Sequence, residues 1–279
     1  MKTLEAGADR DVALVTGASS GLGAEFARAL AARNHDLVLV ARRRDRLTEL
    51  AGELTRKHGI EAQVMTADLA RGDDVEAVAQ RIAAEKNLAL LVNNAGFGAL
   101  GDFSETELAP QSDMHQVHIM APLRLTHAAL PGLVARDRGA VINVSSVAAF
   151  VRVPGHTSYN ASKTWMCAFS ECLHLELRSI RSRVRVQALC PGYTYTEFHD
   201  VLGLDRRKIM ASSGFWMTAE FVVAESLRAL ERGHWLVIPG WRYRVIVSLL
   251  DTLPRFLLHP IQMRVARKRL SAAAPAPPR

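Results

Sequence analysis

Short apolar runs alternate with longer amphipathic segments along most of this 279-residue chain. The short runs lack the apolar–polar alternation of a half-buried strand, and the longer segments repeat apolar positions at helical spacing. Continuous apolar strands are typical of a parallel sheet that helices cover on both faces. The pattern predicts strands at 12–15, 37–40, 62–65, 88–92, 141–144 and 184–189. It predicts intervening helices at 21–33, 44–57 and 75–85.

The alternation of strands and helices with short turns predicts a doubly wound parallel α/β sheet, the Rossmann fold. No linker divides the chain, so we expect residues 1–240 to form a single domain. Residues 241–270 mix apolar and basic positions and predict an amphipathic helical tail, while the Ala- and Pro-rich end, 271–279, is expected to be disordered. The most apolar late stretch, 245–261, is too short and too interrupted to span a bilayer.

A glycine-rich turn joins the first predicted strand to the first predicted helix. Residues 16–23 read Thr-Gly-Ala-Ser-Ser-Gly-Leu-Gly, with the spacing Gly-x-x-x-Gly-x-Gly. Glycines let the backbone turn sharply and approach a pyrophosphate, and the helix N-terminus offers free N–H groups and a partial positive charge. The turn therefore predicts a dinucleotide phosphate site formed by Gly17, Ser19, Ser20, Gly21, Leu22 and Gly23.

Tyr159 and Lys163 are four residues apart, so a helix would place them on one face, one turn from each other. A nearby ammonium stabilises phenolate, so we expect the pKa of Tyr159 to lie below its usual value of about 10. Such a tyrosine is a proton donor and acceptor near neutral pH. Ser146 ends an apolar run and has a hydroxyl that can polarise a carbonyl, with the adjacent Ser145 as the alternative. Together with the glycine turn, these residues indicate hydride transfer.

The motifs, taken in order, resemble those of the short-chain dehydrogenase/reductase family. The resemblance covers roughly residues 10–240 and includes the glycine turn, Ser146 and the Tyr159–Lys163 pair. Two further motifs match. They are Asn93-Asn94-Ala95-Gly96 after the fourth strand and Pro191-Gly192 after the sixth.

The resemblance implies an oxidoreductase that interconverts a ketone and a secondary alcohol with a nicotinamide cofactor. Ser146 would orient the substrate oxygen, Tyr159 would transfer the proton, and Lys163 would contact the ribose hydroxyls and the tyrosine. The family also implies a homo-oligomer, a dimer or a tetramer. The further cofactor contacts that it implies are Asp68, Leu69, Asn93, Asn94, Ala95, Gly96, Pro191, Gly192, Thr194 and Thr196.

The residue after the second strand decides between the two nicotinamide cofactors. An acid there binds the free 2′-hydroxyl of the adenosine ribose, whereas an arginine favours a 2′-phosphate. Here Ala41 is followed by Arg42, and a guanidinium matches phosphate geometry with parallel hydrogen bonds. We therefore expect NADP(H), with Arg42 as the leading contact. The neighbouring Arg43, Arg44 and Arg46 are interpreted as a solvated helix start.

One position departs from the family pattern. The family places an asparagine in the helix after the fourth strand, where it helps to hold a water that links the lysine to solvent, and the matching residue here is His118. Three interpretations stay open. A neutral histidine can donate and accept, which would preserve the relay; the relay can be impaired, with low activity; or the ring only fills space.

Apolar residues dominate the predicted substrate lid, 197–218, and favour a hydrophobic ketone or alcohol, although they can equally pack the lid down. Two alternatives to a general ketone reductase stay open. One is a reductase of β-ketoacyl or other long-chain lipid ketones, with the same chemistry. The other is a nucleotide-binding regulatory or structural subunit with weak catalysis, which only His118 supports.

The net charge of +7 arises largely from arginines at 42–46 and from the tail. No aromatic residues interleave with a basic stripe, which argues against nucleic-acid binding. The basic amphipathic tail favours either packing on the core or a second subunit, or peripheral contact with an anionic membrane. Cys167, Cys172 and Cys190 lack metal-ligand spacing, so we expect no metal and buried free thiols in a reducing cytoplasm.

Overall fold

The computed structural model describes residues 10–99, 101–152, 154–197, 215–254, 256, 258–260 and 263–264. The predicted disordered end, 271–279, and lid residues 198–214 lie outside the described residues.

The described residues contain seven strands, all of which pair in parallel in one sheet. They are β1 (Val12–Thr16), β2 (Asp36–Ala41), β3 (Ala62–Thr66), β4 (Leu88–Asn93), β5 (Ala140–Val144), β6 (Arg185–Leu189) and β7 (Leu236–Val237). The order across the sheet is β3-β2-β1-β4-β5-β6-β7. The predicted doubly wound parallel sheet is therefore confirmed.

Helices connect the strands in the same part of the chain. The α-helices are α1 (Gly21–Ala31), α2 (Arg44–His58), α3 (Gly72–Ala84), α4 (Leu108–His115), α5 (Ala121–Ala135), α6 (Thr157–Ser179), α7 (Ala219–Glu231) and α8 (Trp241–Thr252). A π-helical turn, Gln116–Met120, joins α4 to α5, and a 3₁₀ turn, Val147–Phe150, follows β5.

Successive residues of the central strands point to opposite faces of the sheet, and both faces are buried. Leu14 of β1 packs in a cluster with residues of α3 and α5, while its neighbour Val15 packs in a second cluster with residues of α1 and α2. Phe26 of α1 is fully buried in that second cluster. Full burial of a large apolar side chain stabilises the fold by about 1.5–3 kcal/mol, so this two-sided packing holds the strand ends in place.

The observed elements differ from the predicted ones at their ends. Helix α1 ends at Ala31, two residues before the predicted end, because the chain turns sharply at Asn34, which has a left-handed φ of 64°. The apolar pattern does not predict β7. Its residues lie in the apolar run 235–238 between Gly233 and Pro239, which is too short to distinguish a strand from a loop.

The strand order reverses between β1 and β4, which are neighbours in the sheet although β2 and β3 lie between them in sequence. The carboxyl ends of β1 and β4 therefore border a crevice, which is where open parallel α/β sheets bind their ligands. The glycine turn follows β1, and residues 94–97 follow β4. The fold thus places both motifs at the crevice.

Helix α8 begins directly after the last strand and is amphipathic. Tyr243 and Val247 are buried, whereas Trp241, Val245 and Leu249 are each more than half exposed, at 67%, 51% and 55%. The boundary between domain and tail at residue 241 stays a prediction. In the described part of the chain, no helix combines the length and apolar character that crossing a membrane requires.

Candidate active site

Thr16, the last residue of β1, joins the ends of β1 and β4 at the crevice. Its hydroxyl donates to the carbonyl of Val92 at 3.2 Å and accepts from the N–H groups of Asn94 and Ala95 at 2.9 and 3.0 Å. The Asn94 side chain donates back to the carbonyl of Thr16 at 2.9 Å. These bonds hold Asn94 and Ala95 beside the glycine turn.

The glycine turn presents backbone to the crevice. Gly17 has a φ of +65°, and a Cβ there would lie 2.8 Å from the Cα of Ala95, so only glycine fits. The N-cap of α1, Ser20, makes no side-chain cap bond, and Leu22 anchors the helix by packing against the core. A close backbone approach at a helix N-terminus fits the pyrophosphate of a dinucleotide.

The segment after β6 borders the crevice on its other side. The carbonyl of Pro191 accepts from the N–H of Val147 at 3.1 Å, and Thr194 forms a backbone bridge with Met217. The side chain of Thr196 lies next to Gly21, at the start of α1. Of the predicted cofactor residues in this segment, Thr196 therefore lies beside the glycine turn.

The arginines that follow β2 behave differently from one another. Arg42 and Arg44 are exposed. Arg43 instead turns onto the glycine turn, where it donates to the hydroxyls of Ser19 and Ser20 at 3.0 and 2.6 Å. Arg43 is also exposed and forms the N-cap of α2, as the interpretation of a solvated helix start expects, but its guanidinium reaches back across the loop. The prediction for Arg42 stays a prediction.

Two residues after β3 lie at the same edge of the sheet. Asp68 is half-buried, and its carboxylate accepts from the N–H of Ala70 at 3.1 Å. Leu69 is 6% exposed and belongs to the core cluster of α3. Leu69 thus positions the turn through packing, and a cofactor contact of Asp68 stays a prediction.

Asn93, by contrast, points into the fold. Its side chain is 3% exposed and donates to the side-chain oxygens of Asn143 and Thr126 at 2.8 and 3.1 Å. The side-chain N–H groups of Asn93 are therefore committed to a buried network, and a contact of this residue with the adenosine stays a prediction. Asn94 lies beside the glycine turn instead.

Three predicted catalytic side chains meet near the carboxyl end of β5. Ser146 caps the 3₁₀ turn by accepting from the N–H of Ala148 at 3.1 Å, and its side chain forms a hydrogen bond with Tyr159. Lys163, one turn further along α6, has its Nζ 5.8 Å from the centroid of the Tyr159 ring. That ammonium donates to the carbonyl of Val144 at 2.9 Å. A substrate oxygen next to Ser146 and Tyr159 would meet two hydroxyls.

Ser145 lies inside the fold and does not contact Tyr159 as its neighbour Ser146 does. Its hydroxyl donates to the backbone carbonyl of Lys163 at 2.8 Å and accepts from the Cys167 thiol at 3.3 Å. The side chain is 3% exposed and ties α6 to the end of β5. The geometry therefore separates the two serines, because the hydroxyl that reaches Tyr159 belongs to Ser146.

Burial controls the charge of both titratable groups. Loss of hydration raises the pKa of Tyr159 to about 12, with the Ser146 hydrogen bond opposing the rise. Loss of hydration also lowers the pKa of Lys163 to about 8. The expected lowering of the pKa of Tyr159 is therefore wrong for this structure, since the cost of burying phenolate exceeds the stabilisation by the Ser146 hydrogen bond. Tyr159 is a protonated phenol at neutral pH.

His118 lies in the π-helical turn and has no exposed surface. Its Nε2 accepts from the backbone N–H of Phe97 at 3.1 Å, and its Nδ1 lies 3.0 Å from the hydroxyl of Ser162. Because Nε2 accepts, the proton resides on Nδ1 and is donated to Ser162. Burial, reinforced by the Lys163 ammonium, holds the pKa of His118 well below its usual value.

Both ring nitrogens of His118 are thus occupied by protein groups. The ring contacts that of Tyr159 edge-on, with centroids 5.8 Å apart. Of the three open interpretations, this geometry favours a ring that fills space and supports the tyrosine. A catalytic role for His118 stays a prediction.

Tyr243, a residue that the sequence analysis did not single out, clamps the loop after β6. Its hydroxyl accepts from the N–H of Tyr193 and donates to the carbonyl of Phe215, both at 2.9 Å. Its ring lies flat against Gly192, where a Cβ would come within 2.1 Å of the ring. No local motif marks Tyr243, because its partners are far away in sequence.

Three aromatic rings stack at the described end of the lid. Trp216 stacks on both Tyr193 and Tyr195, with centroid distances of 5.4 and 4.9 Å. Tyr193 and Tyr195 are 36% and 47% exposed. The stack therefore presents aromatic surface beside the residues predicted to contact the nicotinamide.

The cysteines are free thiols, as expected, but only Cys190 is fully buried. Cys172 is exposed, because it lies on the outer face of α6. Within the described residues, no cluster of His, Cys, Asp or Glu could hold a metal ion.

Residues 11–206 match the profile of the short chain dehydrogenase family. The chain belongs to this family. One relative is the very-long-chain 3-oxoacyl-CoA reductase of Anas platyrhynchos, 32% identical over 197 residues that make up 68% of this chain and 61% of that protein. The matched region thus spans about three fifths of the length of that reductase.

Two solved structures resemble this short chain dehydrogenase along nearly its whole length. A short-chain dehydrogenase from Sphingobium yanoikuyae in complex with NADPH has a TM-score of 0.79 and 31% identity, covering 96% of this chain and 98% of that one. The bulky-bulky ketone specific alcohol dehydrogenase from Comamonas testosteroni has a TM-score of 0.74 and 26% identity, covering 98% of both chains. Family members bind a nicotinamide cofactor, and the glycine turn of this chain fits its pyrophosphate.

Proposed function

We propose that this short chain dehydrogenase interconverts a hydrophobic ketone and its secondary alcohol with NADP(H). The observation that carries the proposal is the convergence of Ser146, Tyr159 and Lys163 at the end of β5, on the sheet edge that carries the glycine turn. The sequence comparison agrees, because the Anas platyrhynchos relative is named a 3-oxoacyl-CoA reductase.

The bound dihydronicotinamide would supply the hydride that reaches the carbonyl carbon. Negative charge then develops on the substrate oxygen, where the hydroxyls of Ser146 and Tyr159 donate hydrogen bonds. Tyr159 gives its proton to this oxygen as the carbon–oxygen double bond becomes a single bond. Lys163, held by the carbonyl of Val144, places its positive charge behind the phenolate that forms.

The protonation state of Tyr159 favours reduction. A phenol whose pKa is raised to about 12 carries its proton throughout the neutral range. It is therefore ready to donate to a developing alkoxide, which is a stronger base than phenolate. Alcohol oxidation would need the phenolate, so the rate of alcohol oxidation should increase at high pH.

The proposed preference for NADP(H) rests on the positive charge after β2. Arg42 directly follows the strand, and Arg43 extends the positive charge over Ser19 and Ser20. Guanidinium groups hold phosphate through parallel hydrogen bonds. No acid lies at the strand end to bind a free 2′-hydroxyl.

A hydrophobic substrate is supported by the aromatic stack of Tyr193, Tyr195 and Trp216. The alternative of a narrower substrate, a β-ketoacyl or other long-chain lipid ketone, is favoured by the name of the Anas platyrhynchos relative. The alternative of a nucleotide-binding regulatory subunit loses support. The histidine that stands at residue 118 in place of the family's asparagine leaves the contact between Ser146 and Tyr159 intact.

The proposal extends to assembly and location. A homo-oligomer in the cytoplasm, with peripheral membrane contact through α8, agrees with the exposed apolar side chains of Trp241, Val245 and Leu249. Arg242 and Arg244 lie on the same helix and add positive charge that would attract anionic lipid headgroups.

Consumption of NADPH and NADH with a panel of ketones tests the function. The panel should contain a small methyl ketone, a bulky aryl ketone and a long-chain 3-oxoacyl thioester. We expect turnover of the hydrophobic ketones, with kcat/KM about tenfold or more higher for NADPH than for NADH. Tight NADPH binding without turnover of any ketone would contradict the enzyme proposal and support the binding subunit. Turnover of the thioester alone would identify the narrower substrate.

A further inference from the structure

Arg43 belongs to a small polar cluster at the mouth of the crevice. Its Nε donates to the hydroxyl of Ser19 at 3.1 Å, its Nη2 donates to both Ser19 and Ser20, and its Nη1 donates to a carboxylate oxygen of Glu197 at 2.9 Å. The guanidinium therefore points toward the glycine turn, although its side chain is still 44% exposed. Its Nη1 group is paired with a carboxylate from this same chain.

Glu197 belongs to the opposite side of the crevice. It follows Thr196, whose side chain lies beside Gly21, and is separated from Arg43 by 154 positions in sequence. Its second oxygen accepts from Arg46 on α2. Two guanidinium groups thus hold one carboxylate, and they lower the pKa of Glu197 to about 2, which keeps it ionised at every working pH.

This carboxylate lies where a ribose phosphate would be expected. The residues after β2 contact the 2′ position of the adenosine ribose in this kind of sheet, and Arg43 is the second residue after β2. A carboxylate between two arginines offers the same kind of acceptor as a phosphate, with about half the charge and fewer oxygens. Glu197, Arg43 and Arg46 are each only about half exposed, with side-chain exposures of 43%, 44% and 49%.

We propose that Glu197 is an internal competitor for the 2′-phosphate of NADP(H), which must displace its carboxylate from Arg43 and Arg46 in order to bind. This inference rests on the proposed preference for NADP(H). A nucleotide with a free 2′-hydroxyl brings no charge that could replace the carboxylate, so its affinity does not depend on this exchange. Glu197 therefore limits the affinity gained from the phosphate.

The competition predicts that removing the Glu197 charge strengthens binding of the nucleotide. Removing a side chain that lines a binding site ordinarily weakens the ligand. Glu197→Gln should instead strengthen binding of a 2′-phosphorylated nucleotide, because the arginines no longer have to leave a charged partner. The exchange of partly exposed ion pairs gives an expected gain of roughly three- to tenfold.

Titration calorimetry with adenosine 2′,5′-bisphosphate and adenosine 5′-monophosphate tests the proposal without catalysis. For Glu197→Gln we expect the gain with the bisphosphate and a change of less than about twofold with the monophosphate. Glu225→Gln is the matched control. Glu225 lies on α7 and also pairs with two arginines, Arg228 and Arg244. It should leave both affinities unchanged.

A double variant tests whether the gain in bisphosphate affinity depends on Arg43. In an Arg43→Gln background, Glu197→Gln should give at most a small gain, because the main partner of the carboxylate is already absent. Equal or weaker bisphosphate binding by Glu197→Gln alone would overturn the inference. If the unmodified protein bound the bisphosphate no better than the monophosphate, the NADP(H) preference itself would fail, and the inference with it.

Discussion

At the residue scale, Lys163 carries its positive charge against the effect of burial. The side chain is 5% exposed and its ammonium donates to the carbonyl of Val144. One hydrogen bond replaces only part of the lost hydration, so the pKa falls from 10.5 to about 8 in the folded protein. The ammonium of Lys163 is thus available to the proposed reaction, but its burial lowers the stability of the folded protein.

The lysine should therefore give the free energy of unfolding a distinct pH dependence. Below pH 8 both the folded and the unfolded chain carry the proton, and between pH 8 and 10.5 the unfolded chain binds more of it. Stability then rises with pH across that window. Between pH 8 and pH 10 we expect the unmodified protein to gain about 2 kcal/mol relative to Lys163→Met in denaturant titrations.

A matched control is Lys57→Met on the exposed side of α2. Its stability should follow that of the unmodified protein across the same pH range. Parallel curves for Lys163→Met and the unmodified protein would show that Lys163 is not perturbed by burial.

The proposed roles of Tyr159, Lys163 and Ser146 were accessible from the sequence because their spacing is local or belongs to an ordered series of motifs. Their electrostatics were not. The pKa of Tyr159 depends on how much water the fold removes, and that is set by elements far away in sequence. The same reason explains Asn93, whose amide is buried by its contact with Asn143, 50 positions later.

At the scale of elements, α8 closes onto the loop after β6. The ring of Tyr243 fills the space that any side chain at residue 192 would need, and its hydroxyl links Tyr193 to Phe215. The helix that looks like the start of a tail therefore supports the segment with the predicted nicotinamide contacts. A truncation at residue 241 would remove that support.

Gly192→Ala should displace this loop, because a Cβ would meet the Tyr243 ring at 2.1 to 2.4 Å. We expect NADPH affinity to fall by about tenfold or more, measured by fluorescence titration. Replacing Tyr243 with Ala in the Gly192→Ala protein should recover part of that affinity, since it removes the clash. If the losses of NADPH affinity from the two substitutions simply added, the proposed contact between Gly192 and the Tyr243 ring would not support the loop.

Gly52→Ala is the control for this pair. Gly52 lies in α2 with open space at its Cβ position, and alanine favours a helix by about 1 kcal/mol over glycine. NADPH affinity should be unchanged. If Gly192→Ala bound NADPH as well as Gly52→Ala does, the proposed role of α8 would be wrong.

At the scale of the whole molecule, the sheet brings together the glycine turn after β1, the residues after β4 and the proposed catalytic residues near the end of β5. The alternation of apolar runs and helical segments predicts that sheet well, since each strand is buried on both faces. Contacts that cross the crevice, such as Arg43 with Glu197, could not be predicted, because no periodicity relates their positions.

In the proposed reaction, hydride reaches the substrate only when a phenol can deliver a proton to the oxygen. The most direct test is the single-turnover rate of NADPH consumption with a saturating hydrophobic ketone, for Tyr159→Phe and the unmodified protein. We expect this rate to fall by at least about a hundredfold in the variant, with NADPH affinity changed by less than about twofold. A variant that kept a comparable rate while binding NADPH normally would contradict it.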